Sequence, residues 1–539
     1  MSFLSAHRWW ALGAITLAVL AVGLDVTVLS LALPTLAGAL KAGESDLQWF
    51  SSGYALVLAA AMLPAGLLGD RYGRKEVLLV SLALFAAGSL ACAESRTAAE
   101  FLAARLALGL AGAGVIVMAI SALAVLFSEE ERPRAVAIWG AANFLAFPIG
   151  PILGGWLLTH FWWGWVFLLN VPVAAVGFGA VVALVPETRA QTRPGIDWLG
   201  VLTSSGGLAL VTYGLIEAGQ NGWGDATALL CMVAGLAALA GFVVWQRRLA
   251  ARPGGQPLVD PVLFASASFT WGVILMTIMT LAMIGIMFTM PQYFRAVVGL
   301  TAQGSGLRLL SLVAGLLVGA VAAARLARPL GAKLTAAAGF VVLACGLGLG
   351  SRTSLGSHDG FIALWMAIAG AGVGITMLTT ASAALSELSA DRAGIGSGVL
   401  QALKNVGAPF GAAVLGSVLS SVYRSRLDLT GVPGPAAGPL RGSVFAGLAI
   451  AGELRSPALA HSVRHAFVAG VDASLLASVA FALVGAALAL AFMPGLGHSR
   501  RAMQQTAPPA GDAPRTPVTA PAGATAQAAG RGGRGAHAG

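Results

Sequence analysis

Charge is nearly missing from this chain: Asp, Glu, Lys and Arg make up 10% of its 539 residues, against 57% hydrophobic. That excludes a soluble globule and leaves helices that satisfy their own backbone groups in lipid, so the surrounding partner is a bilayer. Cysteine is almost as rare. Cys92, Cys231 and Cys345 lie in separate apolar stretches with no histidine or second cysteine at ligand spacing, which argues against both a disulfide framework and a metal site. There is no Gly-x-x-x-x-Gly-Lys-Ser/Thr loop, so ATP is not expected to supply the energy, and neither a cofactor nor enzymatic catalysis is expected. The first apolar run, 11–33, is longer than the core of a secretion signal and is interrupted by Asp25, which marks it as a retained first helix.

What is present is a series of apolar stretches of about twenty residues. They predict six helices near 11–33, 47–69, 76–95, 99–126, 134–158 and 164–185, and two near 197–217 and 226–246. Six more follow near 269–291, 303–324, 333–351, 361–385, 396–422 and 465–493. The expected fold is an all-α membrane protein of 14 transmembrane helices: an N-terminal six-helix bundle (1–190), two inserted helices (191–260) and a C-terminal six-helix bundle (261–495). A long outer loop is expected near 423–464 and a disordered cytoplasmic tail over 496–539.

The net charge of +10 comes from bases that flank helices, which speaks against a nucleic-acid partner. Seventeen of them fall in segments read as cytoplasmic and four in short outer loops, which predicts both termini inside. The five arginines of the 423–464 loop dissent, but long loops translocate despite their charge. A single chain is expected to suffice for function.

Between the second and third helices, Gly66-Leu-Leu-Gly-Asp-Arg-Tyr-Gly-Arg-Lys75 places an acid and three bases in ten residues. Gly66, Asp70, Arg71, Gly73, Arg74 and Lys75 resemble the loop signature of the major facilitator superfamily, which implies a cytoplasmic latch of charge-assisted bonds; the alternative is a basic loop that only sets topology. A degenerate copy, Arg325-Leu-Ala-Arg-Pro-Leu-Gly-Ala-Lys333, follows the second helix of the last bundle. The two halves therefore read as parallel repeats.

Asp25 is the lone carboxylate well inside the first helix. A charge at that depth costs roughly 2.5–3.5 kcal/mol on insertion scales, so it faces a wet interior as a proton site or is capped as a polar packing residue. On the first reading, Asp25→Asn should abolish coupling and leave the fold intact. The surrounding Leu24-Asp-Val-Thr and Ala32-Leu-Pro34 resemble the first helix of proton-coupled drug exporters. Arg105, followed by Gly109, resembles the family's R-x-x-q-G motif with Leu108 in place of Gln. It is either the charge partner of a carboxylate or a structural arginine.

In the fifth helix Ala146, Gly150 and Gly154 form a smooth packing face, and Gly150, Pro151, Gly154 and Gly155 resemble the antiporter signature G-P-x-x-G-G. Trp163-Gly-Trp-Val-Phe-Leu-Leu-Asn-Val-Pro172 resembles the family's W-R-W motif with Gly164 where Arg is usual, and Asp197-Trp-Leu-Gly200 opens the inserted pair. Together these resemble the fourteen-helix drug:proton antiporter family. The resemblance implies a proton-coupled antiporter that exports amphipathic small molecules by alternating access, its partners being that substrate and protons. The alternative is a symporter importing a small solute on the same fold. Trp49, Tyr54, Asn143, Arg308 and Lys404 make up the expected substrate cavity. The last two read as deep, unpaired bases that either favour an anionic substrate or snorkel to the surface.

Overall fold

The computed structural model describes residues 2–127, 131–187, 197–252, 255, 257–259, 261–386, 390–430, 432 and 434–494. The expected tail beyond 495 lies outside them, as do the side chains of Asp70 and Asn143. The described chain is all helix: α1 (Ser2–Ala39), α2 (Glu44–Tyr72), α3 (Arg74–Glu94), α4 (Ala98–Leu126), α5 (Arg132–His160), α6 (Trp165–Leu168) and α7 (Asn170–Leu184) come first. The pair α8 (Trp198–Asn221) and α9 (Ala226–Ala250) follows. Then come α10 (Ala267–Ala296), α11 (Ala302–Gly350), α12 (Asp359–Ser386), α13 (Ala390–Arg426), α14 (Gly434–Gly442), α15 (Val444–Glu453) and α16 (Pro457–Phe492). Among the described residues, eleven helices are long and apolar enough to cross a membrane.

Polar side chains cap several of these helices. Thr97 Oγ1 accepts from Glu100 N at 3.2 Å while Glu100 Oε2 accepts from Thr97 N at 3.3 Å, a reciprocal cap on α4. Asp225 accepts from Ala228 N to cap α9, and Thr301 accepts from Gly304 N to cap α11. Asp197 does more than cap α8: besides Gly200 N it accepts from Trp245 Nε1 at 2.9 Å and from Gln246 Nε2 at 2.7 Å, which clamps the start of α8 to the end of α9.

Three expectations change. The ten-residue latch is not a loop, because α2 runs on to Tyr72 and only Gly73, at φ 120°, separates it from α3. Its counterpart breaks in the same way: α11 continues from Ala302 to Gly350 and leaves helical geometry only at Gly331, at φ 76°. Both turns need the positive φ that glycine tolerates. The stretch 423–464, expected as a long loop, is mostly helical, since α13 extends to Arg426, α16 begins at Pro457, and α14 and α15 fill most of the interval. Those short helices were hidden by an apolar run too brief to read as a span.

Two hydrophobic cores result. One joins α1, α2, α3, α4, α5 and α7; the other joins α10, α11, α12, α13 and α16. They exchange a few side chains: Leu31 packs in the second core, and Phe288 and Ala402 in the first. Helix α8 lies against both, on α2 and α13. The halves meet backbone to backbone near the end of α5 and the start of α11. A Cβ on Gly155 would stand 2.9 Å from Ala302 O, a Cβ on Gly306 would collide with Pro151 O, and Gln303 N donates to Thr159 Oγ1 at 3.1 Å. Gly306→Ala should therefore wedge this seam. Spin labels at the exposed positions Trp156 and Leu307 are expected to report a separation larger by a few ångströms than in the unsubstituted chain; an identical distance distribution would show that the seam is not closely held.

Candidate functional site

The first helix turns Asp25 away from lipid and into the bundle, where both Asp25 and Arg105 of α4 are buried. Arg105 Nη1 donates to Asp25 Oδ2 at 2.5 Å, Asn170 Nδ2 donates to Oδ1 at 3.5 Å, and Arg105 Nε donates to Phe50 O at 3.4 Å. The guanidinium also lies 4.2 Å from the centroid of the Tyr54 ring, a cation–π contact with little water to weaken it. Gly109 makes this possible: a Cβ there would stand 2.6 Å from Tyr54 O, so only glycine lets α4 approach α2 this closely. Phe50, Phe101 and Phe167 stack edge-on beside the pair, with centroids 4.6 and 5.4 Å apart. Asp25 thus sits in a buried ion pair.

On the other side of Tyr54 lies a cavity of about 410 Å³ between the two halves. The first half contributes Val22, Thr27, Ser30, Tyr54, Trp139 and Phe147; the second contributes Met279, Met283, Met287, Phe288, Met377, Gln401, Lys404 and Asn405. Its volume and apolar lining suit a drug-sized molecule. Tyr54 is the side chain shared by the cavity wall and the Asp25–Arg105 pair.

Of the residues expected in the cavity, Tyr54 and Lys404 line it. Trp49 does not: five residues before Tyr54 it faces elsewhere on α2, its ring 6.3 Å from that of Tyr213 on α8. Arg308 is neither deep nor unpaired. Its Nε donates to Asp359 Oδ1 at 3.0 Å and its Nη2 pairs with Oδ2, at a solvent-accessible point between α11 and α12. The acid was overlooked because it starts the next helix, 51 positions on. The backbone of Asn143 lies in α5, its side chain outside the described residues.

The G-P-x-x-G-G helix presents two faces. A Cβ at Gly150 would collide with Thr27 Oγ1 and one at Gly154 would stand 2.5 Å from Val28 Cγ1, so these two seat α1; Pro151 and Gly155 form the seam with α11. In the 66–75 segment Gly69 packs on Met118, and Lys75 Nζ donates to Val182 O at 2.8 Å, inside its own half.

Sequence reasoning missed the methionine face of α10. Met279, Met283 and Met287 recur at every fourth residue, a spacing that was legible but does not say what the face meets. It also missed Glu44, a second buried carboxylate. Glu44 lies in the first turn of α2 beside Gln292 and Arg424 of the other half, its Oε1 without a partner among the described residues. Its place outside the predicted span hid it. Among the described residues no cluster of His, Cys, Asp and Glu could hold a metal.

Two halves around a central cavity, with a buried ion pair beside it, define a multi-pass membrane transporter. The profile of the Major Facilitator Superfamily matches residues 15–412, and the chain belongs to that family. It is 31% identical to a tetracenomycin C resistance and export protein of Streptomyces glaucescens, over 91% of this chain and 92% of that one. It is 30% identical to the multidrug efflux pump LfrA of Mycolicibacterium smegmatis over 89% and 96%, and 31% identical to a probable actinorhodin transporter of Streptomyces coelicolor over 78% and 74%. The fold resembles a bacterial homologue of the human lysosomal transporter Spinster, solved inward-facing and unoccupied. The TM-score is 0.63 at 15% identity, covering 90% of this chain and 96% of that one.

The buried pair changes what Asp25→Asn should do. Removing one member leaves an uncompensated guanidinium in a buried site, which costs about 3–5 kcal/mol, so destabilisation is expected beside the loss of coupling. Asp25→Asn should lower the melting temperature, and adding Arg105→Gln should recover part of the loss. Thermal unfolding of both variants in detergent checks this; equal melting of Asp25→Asn and the unsubstituted chain would contradict the pairing.

Proposed function

We propose that this protein is a proton-coupled antiporter that exports amphipathic small molecules across the cytoplasmic membrane. The observation that carries it is Tyr54: one side chain walls the cavity and stacks on the guanidinium that holds Asp25. Substrate entering the cavity can displace Tyr54, loosen the Asp25–Arg105 pair and so change the affinity of Asp25 for a proton. A proton arriving at Asp25 frees Arg105 and biases the cavity in return, since coupling between two sites is reciprocal. The named efflux functions of the relatives agree with the outward direction, and no ATP-binding loop occurs in the sequence.

The membrane arrangement we infer has fourteen crossings. To the eleven long apolar helices it adds α2, α5 and a second crossing from α11, which its break at Gly331 divides. The bundles are 1–190 and 261–495 with the inserted pair at 191–260, and the arginine-rich turns lie in the cytoplasm together with both termini. With the α5–α11 seam outside, the cavity belongs to an inward-facing state. The 66–75 segment is then an open latch, consistent with Lys75 bonding inside its own half. One chain holds both the cavity and the pair, so we assign function to the monomer. One proton per cycle yields about 2.3 kcal/mol per 100 mV and about 1.4 per pH unit, sufficient for two to three decades of gradient.

In vesicles carrying the purified protein, an imposed pH gradient should drive uphill accumulation of a fluorescent substrate, and a protonophore should collapse it. Tyr54→Leu should uncouple the two. Downhill equilibration is expected to persist within about threefold while uphill accumulation falls at least tenfold, about 1.4 kcal/mol of lost drive. Uphill accumulation by Tyr54→Leu at the unsubstituted rate would refute the role of the ring.

A further inference from the structure

We infer that the central cavity selects flat aromatic acids, phenolates or carboxylates, over lipophilic cations, and that Lys404 is the residue that selects. This rests on the exporter reading and names its substrate class. Lys404 is the sole charged side chain among the described lining residues, and no hydrogen bond or ion pair joins it to another described residue. Arg308, the other base expected in the cavity, is paired with Asp359 outside it. No carboxylate lines the described wall. Asp25 is absent from that lining and already bonded to Arg105.

The hydroxyls of Thr27, Ser30 and Thr280 offer an entering anion no free donor, which leaves that role to Lys404. Thr27 donates to backbone carbonyls including Ala146 O, Ser30 donates to Thr27 O at 2.7 Å and Thr280 to Met276 O at 2.8 Å, so their hydrogens are committed to the helices. Asn405 donates toward Met62 Sδ at 3.2 Å. An entering anion therefore meets an ammonium with three unengaged donors, whereas an entering cation meets a like charge with no acid to offset it. Position reinforces charge. Gln401, Lys404, Asn405 and Ala408 share one face of α13, so the ammonium projects from the same strip as two amides and a small residue that leaves room beside them.

The rest of the wall argues for a flat ring system. Met279, Met283 and Met287 line one side, with Met377 from α12, and Tyr54, Trp139 and Phe147 come from the other half. Thioethers are polarizable and adapt to ring edges, so this wall accepts many aromatic outlines while Lys404 sets the charge. An apolar slot with one cation at its side is the chemistry that recognises an ionised phenol or carboxylate on an aromatic frame.

Fluorescein and rhodamine 123 share a tricyclic frame and differ in charge, so they test this directly. Binding of each dye to the purified full chain is measured by fluorescence anisotropy at pH 7.5, and transport of each is measured in vesicles under an imposed pH gradient. The unsubstituted protein should bind fluorescein at least tenfold tighter than rhodamine 123. Lys404→Gln should weaken fluorescein about tenfold and tighten rhodamine 123, and Lys404→Arg should restore the preference. Asn405→Asp, which sets a carboxylate beside the ammonium, should also abolish the preference and serves if Lys404→Gln does not fold. A preference for rhodamine 123, binding of neither dye, or a binding ratio that neither Lys404→Gln nor Asn405→Asp alters would overturn the inference. If the binding ratio behaves as stated but the gradient moves neither dye, the export reading fails and the charge selectivity stands. If both dyes are exported with no charge preference in any variant, export stands and the selectivity falls.

Discussion

A charge that leaves water for the interior of a helical bundle must bring its partner with it, and the first half of this protein is arranged around that requirement. Asp25 and Arg105 lie 80 positions apart, with side chains 1% and 0% exposed and 2.5 Å between them. At such a site the cost of drying two ions is several kcal/mol each and their attraction recovers about that much, so the pair adds little net stability but strongly resists losing one member. The neighbourhood follows from it. Gly109 brings α4 against α2, Tyr54 covers the guanidinium, Asn170 steadies the carboxylate, and the Phe50, Phe101 and Phe167 rings exclude water.

The two halves divide the work unequally. The first holds the ion pair, and the second supplies the methionine face of α10 and the lysine of α13. What joins them is backbone against backbone. Pro151 and Gly155 meet Ala302 and Gly306 without intervening side chains, and such a seam can roll or part as a unit because few rotamers must rearrange. The same motif therefore serves two contacts, its Gly150–Gly154 face against α1 and its Pro151–Gly155 face against the other half. Rocking of one bundle against another about a central site is the motion this architecture permits.

Much of this was legible beforehand because the relevant forces are local. Apolar stretches long enough to span lipid, bases clustered at their ends, the turn at Gly73 with its echo at Gly331, and the family signatures all lie within short windows of sequence. Helix ends were less legible: α2 and α11 run through segments that look like loops, because a single glycine at positive φ turns the chain without a polar linker. Side-chain partners were least legible. Arg308 and Lys404 look alike as bases in apolar stretches, yet one meets Asp359 and the other meets the cavity.

The amino-acid sequence by itself determined the membrane class, the family, and the presence of one carboxylate and one arginine deep in the first bundle. Hydropathy and spacing act along the chain and need no partner to be read. Only the tertiary structure decided that Asp25 is buried and paired, that Tyr54 stands between that pair and the cavity, and that Glu44 is buried against the other half. Helical periodicity says which residues share a face, but what that face meets depends on how distant helices pack.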